Sequence, residues 1–185
     1  MLEDVKKDAT QRMQKCVLAF REKLKKLRTG RAHTSLIEHI KVDYYGTETP
    51  LSQVANIATE DSRTLTVTPW EKSMVTPIEK AILKSDLGLN PNTAGTIIRI
   101  NMPAMTEERR RDITKIVRSE AEDARVAVRN VRREVMTELK EMLKEKLIAQ
   151  DDDRRAQDDV QKLTDKHVAE IDQAMAEKEK ELMHV

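Results

Sequence analysis

Aromatic side chains are nearly missing from this chain: one Phe, one Trp and two Tyr make up 2% of its 185 residues. A core without them must be built from Leu, Ile, Val, Met and Ala, the residues of helix-on-helix packing. Cysteine is scarcer still. Cys16 has no second thiol for an internal disulfide, and the N-terminus runs at once into Glu3 and Asp4 without a signal-peptide pattern, so a cytoplasmic protein is expected. No apolar run approaches the roughly 20 residues of a membrane span, so no membrane partner is expected. Walker, Cys-x-x-Cys and His-Glu-x-x-His motifs are all absent, and His33, His39, His167 and His184 are scattered. These absences argue against an enzyme and against a metal or cofactor site. On such charged helices carboxylates are ordinarily solvated face residues, while Cys16 and His167, both on apolar stripes, read as core.

What is abundant is charge, at 36% of residues, with a net of only +1. The total conceals a partition. Residues 1–31 hold ten Lys and Arg against four Asp and Glu, and residues 150–185 hold six against eleven. A phosphate backbone responds to the local face, so the distribution outranks the sum.

Apolar residues at Leu2, Val5, Ala9, Met13, Cys16, Val17, Phe20, Leu24 and Leu27 recur at the three- and four-residue steps of one helical stripe. Thr29-Gly30 reads as the stop, because glycine readily takes the left-handed conformation that ends helices. From about Arg31 to Pro103 the pattern changes to β-branched residues and turn formers. Strands are expected near His39–Tyr45, Gln53–Ala58, Thr64–Thr68 and Thr96–Ile100, with turns at Gly46-Thr47 and Asn90-Pro91-Asn92. One helix bearing Met74, Ile78, Ala81 and Ile82 falls between them, closed by Gly88.

A second long helix starts after Thr106 and carries Ile113, Ile116, Val117, Ala124, Val128, Val131, Val135, Leu139, Met142 and Leu143. A third restarts after Asp151-Asp152-Asp153 and carries Val160, Leu163, His167, Val168, Ile171, Met175 and Leu182. Three such stripes cannot be buried singly, so the helices should pack together. The expected class is α+β: a long antiparallel three-helix bundle from residues 1–30 and 106–185, with a small β/α/β domain from residues 31–105 inserted by two strands of chain.

The informative constellation is Arg118, Arg125, Arg129 and Arg132, flanked by Lys115 and Arg133. At about 100° per residue the four arginines fall within roughly 60° of one another, and Val117, Ala124, Val128, Val131 and Val135 lie on a separate arc. Between Arg125 and Arg133 there are four arginines and no acid. The planar guanidinium suits bidentate phosphate contacts. The bland alternative is a solvated coiled-coil flank, but such flanks usually alternate in sign. With antiparallel packing, Lys6 and Lys7 are expected at the height of Arg129, and Arg28, Arg31, Arg109, Arg110 and Arg111 at the joint, so that a basic surface runs along the first two helices and the third is left acidic. Lacking aromatic platforms for stacking bases, the protein is expected to read the shape of structured RNA.

Six blocks then stand in a recognisable order: Arg28-Thr29-Gly30-Arg31, Asp43-Tyr44-Tyr45-Gly46, Glu60 to Leu65, Ser85 to Asn92, Thr106 to Arg110 and Ala124 to Arg133, followed by Asp151 to Arg155. Over nearly its full length the chain resembles the bacterial ribosome recycling factors. The resemblance implies an L-shaped molecule in which the bundle contacts large-subunit ribosomal RNA, through a surface that includes Arg129 and Arg132, while the smaller domain meets elongation factor G. It implies a monomer that works with elongation factor G and GTP to split the post-termination ribosome, the GTPase being the elongation factor. It implies a hinge at Gly30, Arg31, Ala32, Pro103, Ala104 and Met105. Family members commonly have proline where this chain has Thr34 and Ala104, so this hinge is expected to be looser. A helical adaptor or chaperone-like module that binds proteins is the alternative from another functional class.

Overall fold

A computed structural model describes residues 1–27 and 29–183. The chain divides into two compact units, Met1–Arg28 with Glu108–His184, and Thr29–Glu107. Among the described residues the α-helices are α1 (Leu2–Lys26), α2 (Val75–Lys84), α3 (Glu107–Lys144) and α4 (Gln150–Met183), of which α1, α3 and α4 form the bundle.

The bundle follows from its stripes. On α1 the buried positions are Val5, Ala9, Met13, Val17, Phe20 and Leu24, a ladder of steps of three and four. The 38 residues of α3 form a rod of about 57 Å, with nine buried positions from Ile113 to Met142 at the same spacing. On α4 the centre of the buried face is smaller than expected. Ala156, Val160, Thr164, His167, Ile171, Ala174 and Leu182 are buried, while Leu163, Val168 and Met175 flank them half-buried. Ile116, expected in the α3 stripe, is exposed, and Ala121 takes the buried place. Cys16 sits half-buried at the edge of the stripe, where burial pushes its thiol pKa up. His167 is buried, with Nδ1 2.6 Å from the Leu163 carbonyl oxygen.

Helix ends depart from expectation for local reasons. α1 stops at Lys26, where Leu27 turns to extended backbone and donates its N–H to the Leu24 carbonyl at 3.1 Å. Gly30, with φ of 77°, lies in the linker beyond and does not terminate the helix. α3 ends in the six-to-one and five-to-two bonds of a Schellman motif, Leu147 N–H to Met142 O at 2.9 Å and Lys146 N–H to Leu143 O at 3.0 Å. Lys146, at φ 58°, fills the place usually given to glycine. The Asp triplet does not precede α4 but forms its first turn, where the helix dipole favours carboxylates. α2 ends at Ser85, whose hydroxyl donates to the Ile82 carbonyl at 2.6 Å, so Gly88 stands in the following loop.

The second unit contains two sheets. Strands β1 (Lys41–Tyr44) and β2 (Thr47–Pro50) form a hairpin; β3 (Ala55–Asp61), β4 (Thr64–Pro69), β5 (Pro91–Ala94) and β6 (Ile97–Asn101) form an antiparallel sheet in the order β3-β4-β6-β5. Leu65 and Val67 of β4 and Ile98 and Ile100 of β6 face a core shared with Ile78 and Ile82 of α2, Val42, Leu51 and Ile37. Two strands went unseen in the sequence. β2, Thr-Glu-Thr-Pro, has no apolar alternation, and β5 starts on the proline of the expected turn, which an edge strand tolerates in its first position.

Entry to and exit from this unit are pinned at one hairpin. Ala32 N–H donates to the Ser62 carbonyl at 2.9 Å, Met102 N–H donates to the Arg63 carbonyl at 2.7 Å, and the Arg63 guanidinium donates back to Met102 O at 3.1 Å. Ala32 and Met102 are both buried in the core of this unit, whereas Pro103 and Ala104 are exposed. Ala32, expected in the hinge, is therefore anchored in the inserted domain.

Phe20 is the largest side chain fully buried in the bundle. Phe20→Ala is expected to lower bundle stability by about 3–5 kcal/mol, read from urea unfolding followed by far-ultraviolet dichroism; a loss under about 1 kcal/mol would remove the stripe from the core.

Candidate nucleic-acid interface

The α3 arginines lie beside the apolar stripe rather than opposite it. Arg118, Arg125 and Arg132 recur every seven residues, which returns each to nearly the same face. α4 runs antiparallel along that side with acids at the same interval. Arg118 Nε donates to Glu179 Oε1 at 2.8 Å. Arg125 donates from Nε to Asp172 Oδ1 at 2.7 Å and from Nη1 to Glu122 Oε2 at 3.0 Å. At the third rung the acid is reached through an amide: Arg132 Nη1 donates to Gln161 Oε1 at 3.0 Å, and Gln161 Nε2 donates to Asp165 Oδ1 at 2.9 Å.

This ladder divides the arginines into two groups. Arg125 is only 17% exposed and carries two carboxylates, and the Arg118 head is held by Glu179. The charge of Arg125 is largely spent inside the bundle, while Arg118, 67% exposed, is neutralised by Glu179 at the surface. Arg129 has only a 3.7 Å contact to Glu122 and is 43% exposed. Arg132 touches a neutral amide, and Arg133, exposed, donates to Asn130 Oδ1 at 3.4 Å. Little more than one turn, from Arg129 to Arg133, thus presents guanidinium groups that meet, among the described residues, no carboxylate nearer than this 3.7 Å contact.

The partition of charge along the sequence acquires a different meaning. The Asp159, Asp172 and Glu179 carboxylates of α4 do not form a face that repels phosphate; they meet Lys6, Arg125 and Arg118 across the seams between helices. Lys6 Nζ lies 2.7 Å from Asp159 Oδ2, and that hydrogen bond holds the Asp159 carboxyl below the usual range. Stability from this pair is present above the ordinary aspartate pKa and is lost as pH falls through the lowered value. On the other seam Arg12 pairs with Glu134, and Lys23 Nζ lies 2.9 Å from Glu120. This register sets Arg129 opposite the turn around Lys15 to Val17, not opposite Lys6 and Lys7 as expected.

The remaining expected residues fall apart from this cluster. Arg110 is half-buried in the first turns of α3, and Arg31 is exposed in the second unit. Arg28 lies outside the described residues. Sequence reading missed Gln161, Glu122, Asp172 and Glu179 as partners. The signal was available: two helices expected to be antiparallel carry arginines at 118, 125 and 132 and acids at 179, 172 and 165 with one shared interval. Among the described residues no group of three His, Cys, Asp or Glu side chains is arranged to hold a metal ion, and no helix is long and apolar enough to cross a membrane.

Removing a largely buried charge-assisted hydrogen-bond hub should be felt in folding. Arg125→Ala is expected to cost about 2 kcal/mol of bundle stability in chemical denaturation, whereas Arg133→Ala should change it by less than about 0.5 kcal/mol; equal losses would erase the division between the two groups.

Comparison with known proteins agrees with the fold and with the order of its motifs. Residues 20–183 match the family model described as "Ribosome recycling factor". The chain is 61% identical over 185 residues to the ribosome-recycling factor of Thioalkalivibrio sulfidiphilus (strain HL-EbGR7), and 58% identical over 185 residues to that of Legionella pneumophila (strain Paris), with 100% of both chains covered in each case. A solution structure of a ribosome recycling factor matches with a TM-score of 0.72 at 42% identity, covering 100% of this chain and 98% of the other. A second match, with a TM-score of 0.63 at 43% identity and 98% coverage of both chains, is a model of the T. thermophilus ribosome recycling factor, described together with E. coli elongation factor G as bound to the E. coli post-termination complex. A helical bundle with an inserted small β domain, motifs in family order and full-length identity well above 50% place this chain in the ribosome recycling factor family.

Proposed function

We propose that this protein binds the post-termination ribosome and, with elongation factor G and GTP, promotes its separation into subunits for a new round of translation. The observation that carries the RNA-facing part of this reading is the run Arg129, Arg132 and Arg133, whose guanidinium groups meet, among the described residues, no carboxylate nearer than the 3.7 Å contact of Arg129 with Glu122. Fixed along little more than one rigid turn, they can meet neighbouring phosphates of a structured RNA without reading its bases. The assigned target is large-subunit ribosomal RNA. Arg118 and Arg125, bound to carboxylates of α4, set the position of α3, and their paired charge reaches phosphate weakly.

The chain's task in this reading is non-enzymatic. Binding energy is its contribution, and the GTPase is elongation factor G, in keeping with a solved relative described in one complex with that factor. The protein would act in the cytoplasm as a monomer. Between its two units the hinge is assigned to Gly30 and Arg31 on one strand of chain and to Pro103, Ala104 and Met105 on the other, because Ala32 and Met102 are held in the inserted domain.

Two measurements test these assignments. Arg132→Glu is expected to weaken co-sedimentation with ribosomes by about tenfold or more while leaving the melting transition nearly unchanged, and wild-type binding should fall linearly in the logarithm of salt. Light scattering should report subunit splitting only when the protein, elongation factor G and GTP are added together; a folded Arg132→Glu protein that splits ribosomes normally would refute the arginine face. For the hinge, Ala104→Pro is expected to narrow the spread of interdomain distances in solution scattering. Thr34→Pro should not, since Thr34 heads a short 3-10 turn inside the domain that Ala32 already anchors; the reverse pattern would move the hinge.

A further inference from the structure

Of the four aromatic residues in the chain, Phe20 fills the bundle core, and Tyr44 and Tyr45 meet at the β1–β2 turn, where both reach the Glu71 carboxylate that follows β4. Tyr45 and Gly46 make that turn with φ of 50° and 88°. Both central residues are left-handed, as in a type I′ turn, a conformation in which Asn is the usual first residue and a bulky one is a genuine outlier. A tyrosine is nonetheless held there, 73% exposed as a residue.

The hydrogen bonds around it explain how the ring is held, but not why it is a ring. Tyr45 Oη donates to Glu71 Oε2 at 2.7 Å, Tyr44 Oη donates to Glu71 Oε1 at 2.8 Å, and Tyr45 Oη lies 3.2 Å from Ser73 Oγ. The two rings meet edge to face, with centroids 4.7 Å apart. One carboxylate thus clamps two phenols. Asp43, the other acid at the turn, is turned onto the Gly46 N–H at 2.8 Å. Lys72 follows Glu71 in the chain, yet among the described residues no ion pair joins them, and each Glu71 oxygen, accepting one phenol, keeps a further acceptor site.

We propose that Tyr44, Tyr45 and Glu71 form a docking platform for an arginine side chain of a basic protein segment, presented to this chain within the complex it enters. The electronegative face of Tyr45 offers a cation–π seat, and a guanidinium is the side chain best shaped to lie flat on it. Glu71 supplies the complementary charge beside the ring. The phenol bonds, Tyr45 first and then Tyr44, hold its carboxyl below the usual range, so the charge is in place at neutral pH. The same charge disfavours a nucleic-acid strand, whose phosphates would approach an ionised carboxylate. The arginine face of α3 and this platform therefore recognise opposite chemistries. The inference rests on the reading of the protein as a ribosome-binding factor for the partner's setting, but not for the chemistry of the seat.

The first test uses the full chain and a small probe. Titration with N-acetyl-arginine amide is expected to shift the Tyr44 and Tyr45 ring protons saturably, with affinity about fivefold weaker in Glu71→Gln and no saturable shift in Tyr45→Asn. Adenosine monophosphate should leave these signals in place. No saturable response to the arginine amide, an undiminished response in Glu71→Gln, or a stronger response to the nucleotide would each overturn the platform. The second test separates it from the broader function. Tyr45→Asn suits the turn and should leave the fold and ribosome co-sedimentation unchanged, while slowing factor-dependent splitting about fivefold or more. Normal splitting by this variant would overturn the platform alone, whereas failure of the wild-type protein to split ribosomes would overturn the proposed function and leave the probe titration standing.

Discussion

The bundle depends on burying three long apolar stripes that contain a single aromatic ring. With few large side chains available, each helix must contribute a continuous ladder of small and medium residues, and the ladder can bury enough area only by being long. Nine buried positions on α3 from Ile113 to Met142 follow from this constraint. So does the small-residue centre of α4, where Ala156, Thr164 and Ala174 occupy places that bulkier residues beside them do not.

Once the stripes are buried, the charges have little freedom. Residues flanking a buried ladder at seven-residue intervals face the neighbouring helix, so Arg118 and Arg125 meet Glu179 and Asp172. The same geometry delivers Arg132 to Gln161, leaves Arg133 to solvent and gives half-buried Arg129 only its 3.7 Å contact with Glu122. Packing thus sorts one row of arginines into those that fix α4 and those available to a partner. The basic patch on α3 consists of the arginines that this interhelical pairing does not neutralise.

The inserted domain works by different physics. Its core is a sheet backed by one short helix, and both connecting strands of chain are fastened to the Ser62-Arg63 turn. Fastening both at one place lets the domain hold its own structure while the exposed Pro103 and Ala104 remain outside its core. Its exposed aromatic corner is acidic in chemistry, in contrast to the arginines of α3.

Hydrophobic period alone was enough to reveal the three long helices, the position of α2, the core strands β4 and β6, and the interruption of the bundle by a β-rich insert, because those signals are local and repeat many times. The six blocks in family order carried the family. Strands β2 and β5 were illegible: their residues lack alternation, and only pairing with β1 and β6 makes them strands. The ends of α1 and α4 were also misplaced, since Leu27 and the Asp triplet take their conformations from hydrogen bonding and the helix dipole rather than from hydrophobic pattern. The sequence by itself determined that an arginine row exists and which residue types flank it. Tertiary structure decided which arginines α4 neutralises, because that depends on one of its carboxylates approaching within about 3 Å, and no periodicity within one helix records that distance.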